Sequence, residues 1–417
     1  MTSNPGTFLE SAAALPEMSV DTPPKPPDIR FLDGLRGLAA VFVLIHHASF
    51  LLIRGSLVQL QSFGHVTPAR LHPTFYRWLN LTLDPFRYGH VAVVFFFVLS
   101  GFVIHLRYAR EMRNNPLGAR FGWPGFVWRR VRRLYPPLLL AIGLTSLLYA
   151  IGSHLSPTLY RGMSLYSWDN GAAVADTRWT TLLANLTFLM PFYAPWWSGN
   201  SPLWSLGYEW WFYMLYPAFW WITKQSLWAS TGLMAGLFVL SLFPSAWPSS
   251  LACKVLGLMP TWWLGVLLAE VYIGRIRLSF AWLSPLMLLM AAFQIRSLPD
   301  QVKTLVLGLG FAGVLAFCFT LRGRGYRLRL LSQLKPLGDM SYTLYVTHIP
   351  ILILLSSLLI FRSPRSTLPD APWVLLTGVA TAISFAWLAH WVVEAPFTRP
   401  RRREPRADPP RASAAAA

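Results

Sequence analysis

Ten long apolar runs, separated by segments in which the arginines collect, constrain this chain more than any other feature. They begin near Gly37, His90, Leu134, Ser205, Trp228, Lys254, Leu278, Val302, Ser341 and Trp373, and each reads as long enough to cross a hydrocarbon core of ~30 Å. A backbone in lipid must satisfy its own hydrogen bonds, and uninterrupted apolar runs do so as helices. The sequence therefore predicts an all-α, polytopic membrane protein of about ten transmembrane helices. The chain is 54% hydrophobic and 13% charged, where a soluble domain carries about 25% charged residues. A net charge of +19 would suggest nucleic acid in a soluble chain. Here the basic residues cluster between spans, the pattern that sets membrane orientation, and no nucleic-acid partner is expected.

Arg107, Arg110, Arg113, Arg120, Arg129, Arg130, Arg132 and Arg133 lie between the second and third runs, and Arg322, Arg324, Arg327, Arg329 and Lys335 between the eighth and ninth. Arg401 to Arg403 follow the tenth. Placing all three clusters on the cytoplasmic side puts both termini there as well, in the inner (plasma) membrane. The first apolar run starts late and is too long for a signal-peptide core, so it is expected to stay as an anchor. Thr181 to Leu189, with Met190 to Trp197 after it, is apolar enough to be taken for an eleventh span. Crossing there would turn every later basic cluster outward, so the segment is assigned to a re-entrant or interfacial stretch. Residues 1–28 and 399–417 read as disordered cytoplasmic flanks. Cys253 and Cys318 fall near opposite membrane faces, too far apart for a disulfide, and no internal repeat of the transporter kind is visible.

The run Asp33-Gly34-Leu35-Arg36-Gly37 feeds straight into the first span, which carries His47. Arg36 and His47 are eleven positions apart, close to three whole turns, so both project from one helix face roughly 16 Å apart along the axis. His46 points elsewhere. A guanidinium at the membrane surface aligned with an imidazole deeper in suggests a site that holds an anion at its mouth and moves a proton inside. His47 is expected near the middle of its helix, where burial favours the neutral imidazole that a general base requires.

Several further motifs follow in order: Phe96-Phe97-Val98-Leu99-Ser100-Gly101-Phe102, Arg129-Arg130 with Arg133-Leu134-Tyr135-Pro136, Trp204-Ser205-Leu206 with Glu209 and Phe212-Tyr213, Gly338 with Ser341-Tyr342, Tyr345, His348 and Pro350, and finally Glu394 with Pro396. Together with Phe31 to Ala40 and His47, they resemble the membrane proteins of acyltransferase family 3 over nearly the whole membrane part. Val94 stands where the family often has an acidic residue, so no carboxylate is available there. No hydrolase-like domain follows the last helix, which resembles the stand-alone form. The resemblance implies a transmembrane acyltransferase domain over residues 29–398. It also implies transfer of an acyl group, commonly acetyl from acetyl-coenzyme A, onto hydroxyls of cell-surface glycans, lipids or similar acceptors.

On that reading His47 and Glu209 are the catalytic candidates. Arg36, Arg130 and Arg133 would hold the phosphates of the coenzyme A donor, a task suited to planar multi-donor groups. Ser205, Tyr345 and His348 would bind substrate, and Asp33, Ser100 and Gly101 would give structural support, Asp33 by fixing the Arg36 rotamer or capping the helix and Ser100-Gly101 by permitting close helix approach. Each has a plainer reading. Arg36 and the basic loop satisfy membrane orientation or bind lipid headgroups, His47 and His348 hydrogen-bond between helices, and Glu209 pairs with an arginine. Glu209 on its functional reading orients an imidazole or lines the acceptor path. No tightly bound cofactor is expected, and no His-Glu-x-x-His cluster or glycine-rich phosphate loop suggests a metal or ATP. The expected partners are the acyl-coenzyme A donor, a carbohydrate or lipid-linked glycan acceptor, and membrane lipids. A proton-coupled transporter or lipid-linked glycan flippase is the competing class.

Overall fold

Glycines govern how the helices approach one another in the computed structural model, which describes residues 29–53, 82–116, 118–247, 249–294, 298–363 and 366–398. Residues 1–28 and 399–417, expected as disordered flanks, lie outside the described residues. Every regular element among the described residues is helical. The main helices are α1 (Phe31–Leu51), α2 (Gly89–Asn114), α3 (Trp123–Leu155), α4 (Leu203–Gln225), α5 (Leu227–Ser241), α6 (Ser250–Tyr272), α7 (Asp300–Gly323), α8 (Ser341–Leu359) and α9 (Pro372–Val393). Among the described residues seven helices, all but α4 and α5 of those named, are long and apolar enough to cross a membrane, against about ten expected.

The three remaining runs are helical but differ in form. α4 has 23 residues, about 34 Å, and carries Glu209 and Lys224. α5 has only 15 residues, about 22 Å. The run near Leu278 forms a short helix, Phe280–Leu283, followed by a 3-10 helix over Ser284–Gln294, whose steeper rise of about 2 Å per residue stretches few residues over more depth. It lies antiparallel on α7, since a Cβ on Gly310 would press on Met290 and one on Gly313 on Met287.

α2 and α6 pack along their lengths through a similar device. A Cβ on Gly101 would overlap the Trp262 carbonyl, and one on Gly265 the Val98 carbonyl. Small residues that bring backbones together replace the hydrophobic driving force that lipid cannot provide. Toward the arginine-rich end this contact is locked by His105 of α2, whose Nε2 lies 2.6 Å from Glu270 Oε1 of α6, while Arg275 donates to the same oxygen at 2.8 Å. His105 and Glu270 are fully buried. Cys253 and Cys318 are both free and buried.

The segment between α3 and α4 turns back on itself. Its descending helix, Trp179–Leu186, reaches the level of Tyr135, whose hydroxyl donates to the Leu186 carbonyl at 3.0 Å. The returning arm is tied eleven residues farther along α3, where Trp197 Nε1 donates to Ser146 Oγ at 3.0 Å. Asn185 clamps the two arms together: its Nδ2 donates to the Thr181 and Pro195 carbonyls and its Oδ1 accepts from the Trp197 N–H. α4 therefore starts inside the bundle, beside Thr145 of α3 and Val346 of α8.

Before this segment, the short helix Ser167–Ala173 buries Asp169, neither of whose carboxylate oxygens has a hydrogen-bond partner among the described residues. Burial pushes this carboxyl well above the usual range, so the folded state takes up a proton more readily than the unfolded chain. The linked stability is greatest at low pH and is lost as pH rises above the ordinary carboxylate range toward the raised value. Asp169→Asn is expected to flatten the rise in melting temperature between pH 7 and pH 5, read in detergent. Gly101→Val should cost about 1–3 kcal/mol or more through overpacking, seen as a lower melting temperature with helix content retained at 20 °C.

Candidate active site

α1 and α8 run side by side in the same direction, and their contacts set the site. A Cβ on Gly34 would overlap the Leu331 carbonyl, one on Gly37 would meet Leu337 and Gly338, and one on Gly338 would overlap the Asp33 carbonyl. The two motif glycines thus admit the 329–339 segment directly onto the α1 backbone. That approach presents the Gly338 carbonyl to Arg36, whose Nε and Nη2 donate to it at 3.1 and 2.6 Å. Asp33, one turn earlier, faces the same guanidinium at 3.6 Å. Ser341 Oγ donates to the Gly338 carbonyl as well, at 2.7 Å.

Farther along the same face His47 meets His348, with Nδ1 and Nε2 3.0 Å apart. The partners assign the tautomers. His348 Nδ1 lies 3.0 Å from the Leu344 carbonyl and His47 Nδ1 lies 3.1 Å from the Val43 carbonyl; a carbonyl only accepts, so each Nδ1 carries a proton. His348 Nε2 then accepts from His47 Nδ1, which leaves the lone pair of His47 on Nε2. α1 closes at Leu51, so His47 sits one turn from its far end rather than near the middle as expected. Arg36 and His47 do project toward one continuous partner, the 338–348 stretch. His46 turns away to the Phe86 carbonyl at 2.7 Å.

A cavity of about 860 Å³, its open mouth included, lies between α1, α2, α3, α4 and α8. Asp33, Arg36, Arg133, Glu209 and Ser341 contribute its polar wall, and Val93, Phe96, Leu99, Val103 and Ile104 its apolar one. Ser205 and Tyr345 close its deep end, their hydroxyls 2.9 Å apart, with the Phe96 ring edge-on to Tyr345 at 5.9 Å. The tyrosine ring in turn lies 6.2 Å from that of His348. The cavity thus ends at Tyr345: the two histidines do not line it, and the continuous passage from Arg36 to His47 that their shared face suggested is shut by the Ser205–Tyr345 bond.

Glu209 is placed by a polarised chain rather than by an imidazole. Trp262 Nε1 donates to Ser100 Oγ at 3.3 Å, Ser100 Oγ lies 3.1 Å from Tyr213 OH, and Tyr213 donates to Glu209 Oε1 in a short hydrogen bond. Because the Tyr213 proton goes to the carboxylate, the Ser100 proton points at Tyr213. Ser100 thereby supports Glu209, and Gly101 lets Trp262 approach closely enough to join in. The expectation that Glu209 orients a histidine is not realised, since His47 bonds Val43 and His348. Arg133 sits in the field of Glu209 and Glu394. Arg130 does not line the cavity; its guanidinium lies over the rings of Tyr213 at 5.2 Å and Phe126 at 5.5 Å, and its Nε is buried without a hydrogen-bond partner among the described residues.

Two residues of the site stood in the quoted motifs without a role assigned to them. Tyr342, quoted with Ser341 in the late motif, lines the cavity with a buried hydroxyl that lacks a hydrogen-bond partner among the described residues. Glu394 accepts from the N–H and hydroxyl of Thr343, at 3.3 and 2.9 Å, tying the end of α9 to the start of α8.

The family model of the acyltransferase domain matches residues 29–391. The chain belongs to this acyltransferase family. Among curated relatives, it is 23% identical over 413 residues to the peptidoglycan O-acetyltransferase OatA of Listeria monocytogenes, an alignment that covers 88% of this chain and 55% of that protein. It is also 28% identical over 184 residues to protein 2 in the picA locus of Rhizobium radiobacter, covering 42% of this chain and 73% of that one. The chain spans about half the length of the first of these relatives. No solved structure matches it. The cavity thus brings two arginines, Arg36 and Arg133, and the Ser205–Tyr345 hydroxyl pair to one enclosed space. Tyr213→Phe should leave Glu209 without its hydrogen-bond donor at a cost of about 1–3 kcal/mol, read as a lower melting temperature that Ser100→Ala, acting through the same chain, worsens by less than the sum of the two.

Proposed function

We propose that the protein is an integral membrane O-acyltransferase that moves an acyl group, acetyl in the first instance, from acyl-coenzyme A to a hydroxyl of a cell-surface carbohydrate. Family membership supports the reaction class, and similarity to a peptidoglycan O-acetyltransferase supports a cell-wall or related glycan as acceptor. The observation that carries the reading to this chain's own residues is the cavity joining Arg36 and Arg133 to the Ser205–Tyr345 pair, with the two histidines immediately behind.

The proposed orientation has both termini in the cytoplasm of the inner (plasma) membrane and ten passages, with α4, α5 and the 280–294 segment completing the seven more apolar helices. The path of residues 179–202, which folds back along α3 between the levels of Tyr135 and Ser146, supports this parity. Arg36 and Arg133 then face the cytoplasm, where the donor's phosphates and adenine nucleotide are held far from the reacting carbon. That remote binding energy positions the thioester. Opening of the Tyr345 side chain would bring the acyl carbonyl to His47, whose Nε2 lone pair either removes the acceptor hydroxyl's proton as its oxygen attacks the thioester carbon or takes the acyl group transiently before the hydroxyl does; in both cases the C–S bond breaks and the coenzyme A thiolate leaves, collecting the hydroxyl's proton to depart as the thiol. His348 accepts from His47 Nδ1–H and steadies the imidazolium that forms. Glu209 on this reading supplies negative charge beside Arg133 and lines the path to the cavity floor.

The test is transfer of radiolabelled acetyl from acetyl-coenzyme A to peptidoglycan fragments and other glycans by the purified protein in detergent. His47→Ala should lower kcat by about 10²-fold or more. Arg36→Gln should raise KM for the donor about tenfold, the equivalent of one lost charge-assisted contact of ~1.4 kcal/mol, and the increase should shrink at high salt. Full transfer by folded His47→Ala protein would remove the base assignment; absence of transfer to every hydroxyl acceptor, with solute or lipid movement in vesicles instead, would move the protein to the transporter class.

A further inference from the structure

α8 is interrupted at Pro350, which has no N–H to give to the carbonyl of Val346 four residues earlier. Within the bundle that carbonyl must find another donor. It finds Asn200, whose Nδ2 donates to Val346 O at 2.9 Å and to Thr145 Oγ1 at 3.1 Å. Both partners fix which way the amide faces: a carbonyl only accepts, and Thr145 already gives its proton to the Ala141 carbonyl at 2.6 Å. Asn200 Oδ1 is left buried without a partner among the described residues, so the side chain is oriented for its donor function alone.

The backbone around Asn200 is shaped to present it. Ser198 and Gly199 have φ of 43° and 77°, and a Cβ on Gly199 would overlap the Ala172 carbonyl. Asn200 donates its own N–H to Trp197 O at 3.0 Å and accepts from Leu203 N at 3.2 Å, which starts α4. Its side chain thereby joins the end of the re-entrant segment to the one turn of α8 that carries both Tyr345, at the cavity floor, and His348, the partner of His47.

We infer that Asn200 is a positioning residue for the His47–His348 pair, holding the proline-interrupted turn of α8 in the register at which His348 Nε2 meets His47 Nδ1. The inference rests on the acyltransferase reading for its catalytic consequence and on the Pro350–Val346–Asn200 geometry for its mechanism. No polar group of Asn200 touches the cavity or the histidines directly, so its influence passes through the α8 backbone.

The mechanism makes a specific demand on paired variants of the full-length protein. Asn200→Ala should lower kcat about tenfold with donor KM within about twofold, and the near-isosteric Asn200→Asp, which offers Val346 an acceptor in place of a donor, should do no better. In a Pro350→Ala background residue 350 regains an N–H for Val346, and the same Asn200→Ala change should then cost less than about threefold. An equal loss in both backgrounds, or a loss confined to KM, overturns the inference. Independently of turnover, 15N-histidine NMR, with the two signals assigned through His47→Gln and His348→Gln, should show both resonances displaced in Asn200→Ala and restored toward wild type in the double variant. Wild-type protein that transfers no acyl group would fail the functional reading, whereas unmoved histidine signals would fail the role of Asn200.

Discussion

The contact on which the site depends is the backbone-to-backbone approach of α1 to the segment leading into α8. Gly34, Gly37 and Gly338 leave no Cβ between the two chains, so the Gly338 carbonyl comes within reach of Arg36 and, about three turns on, His348 comes within reach of His47. An arginine in a largely apolar environment is costly unless its donors are satisfied. Two donors on one carbonyl, with Asp33 alongside, meet part of that need while leaving the remaining guanidinium face toward the cavity.

Proline and glycine act in complementary ways through the rest of the bundle. Glycines bring helices together where side chains would hold them apart, as between α2 and α6. Pro350 releases a carbonyl that the distant Asn200 then captures, joining the end of the folded-back segment to α8, while Asn185 at its turn joins the segment's two arms. In lipid, where water cannot satisfy a loose backbone group, such side-chain amides convert an irregular segment into a permissible one. The folded-back stretch starts α4 at the level where Ser205 meets Tyr345.

The polar groups divide into two sets. Arg36, Arg133, Glu209, Tyr342 and Ser341 line the cavity, whereas His105, Glu270 and Arg275 tie α2 to the end of α6 away from it. A buried ion pair of the latter kind fixes register more than it adds stability. Unused hydrogen-bonding capacity facing a cavity, by contrast, marks where a ligand's polar groups would fit.

Much of this was legible in the sequence, because hydrophobic run length and arginine placement act locally and additively. The all-helical class with apolar helices of membrane-crossing length, the shared face of Arg36 and His47, the close helix approach at Gly101 and the folding back of the segment after α3 were readable from spacing and composition, and the ordered motifs pointed to the family. The span forms did not follow, since α5 and the 280–294 segment take shorter or tighter helices that hydropathy alone cannot distinguish. Nor did the closure of the cavity at Tyr345, the attachment of Glu209 to Tyr213 rather than to a histidine, or the pairing of His47 with His348, 301 residues apart. Those depend on which helix faces meet. Sequence periodicity states which residues share a face, but only the packed bundle, through the few places where glycines let backbones touch, decides what each face is pressed against.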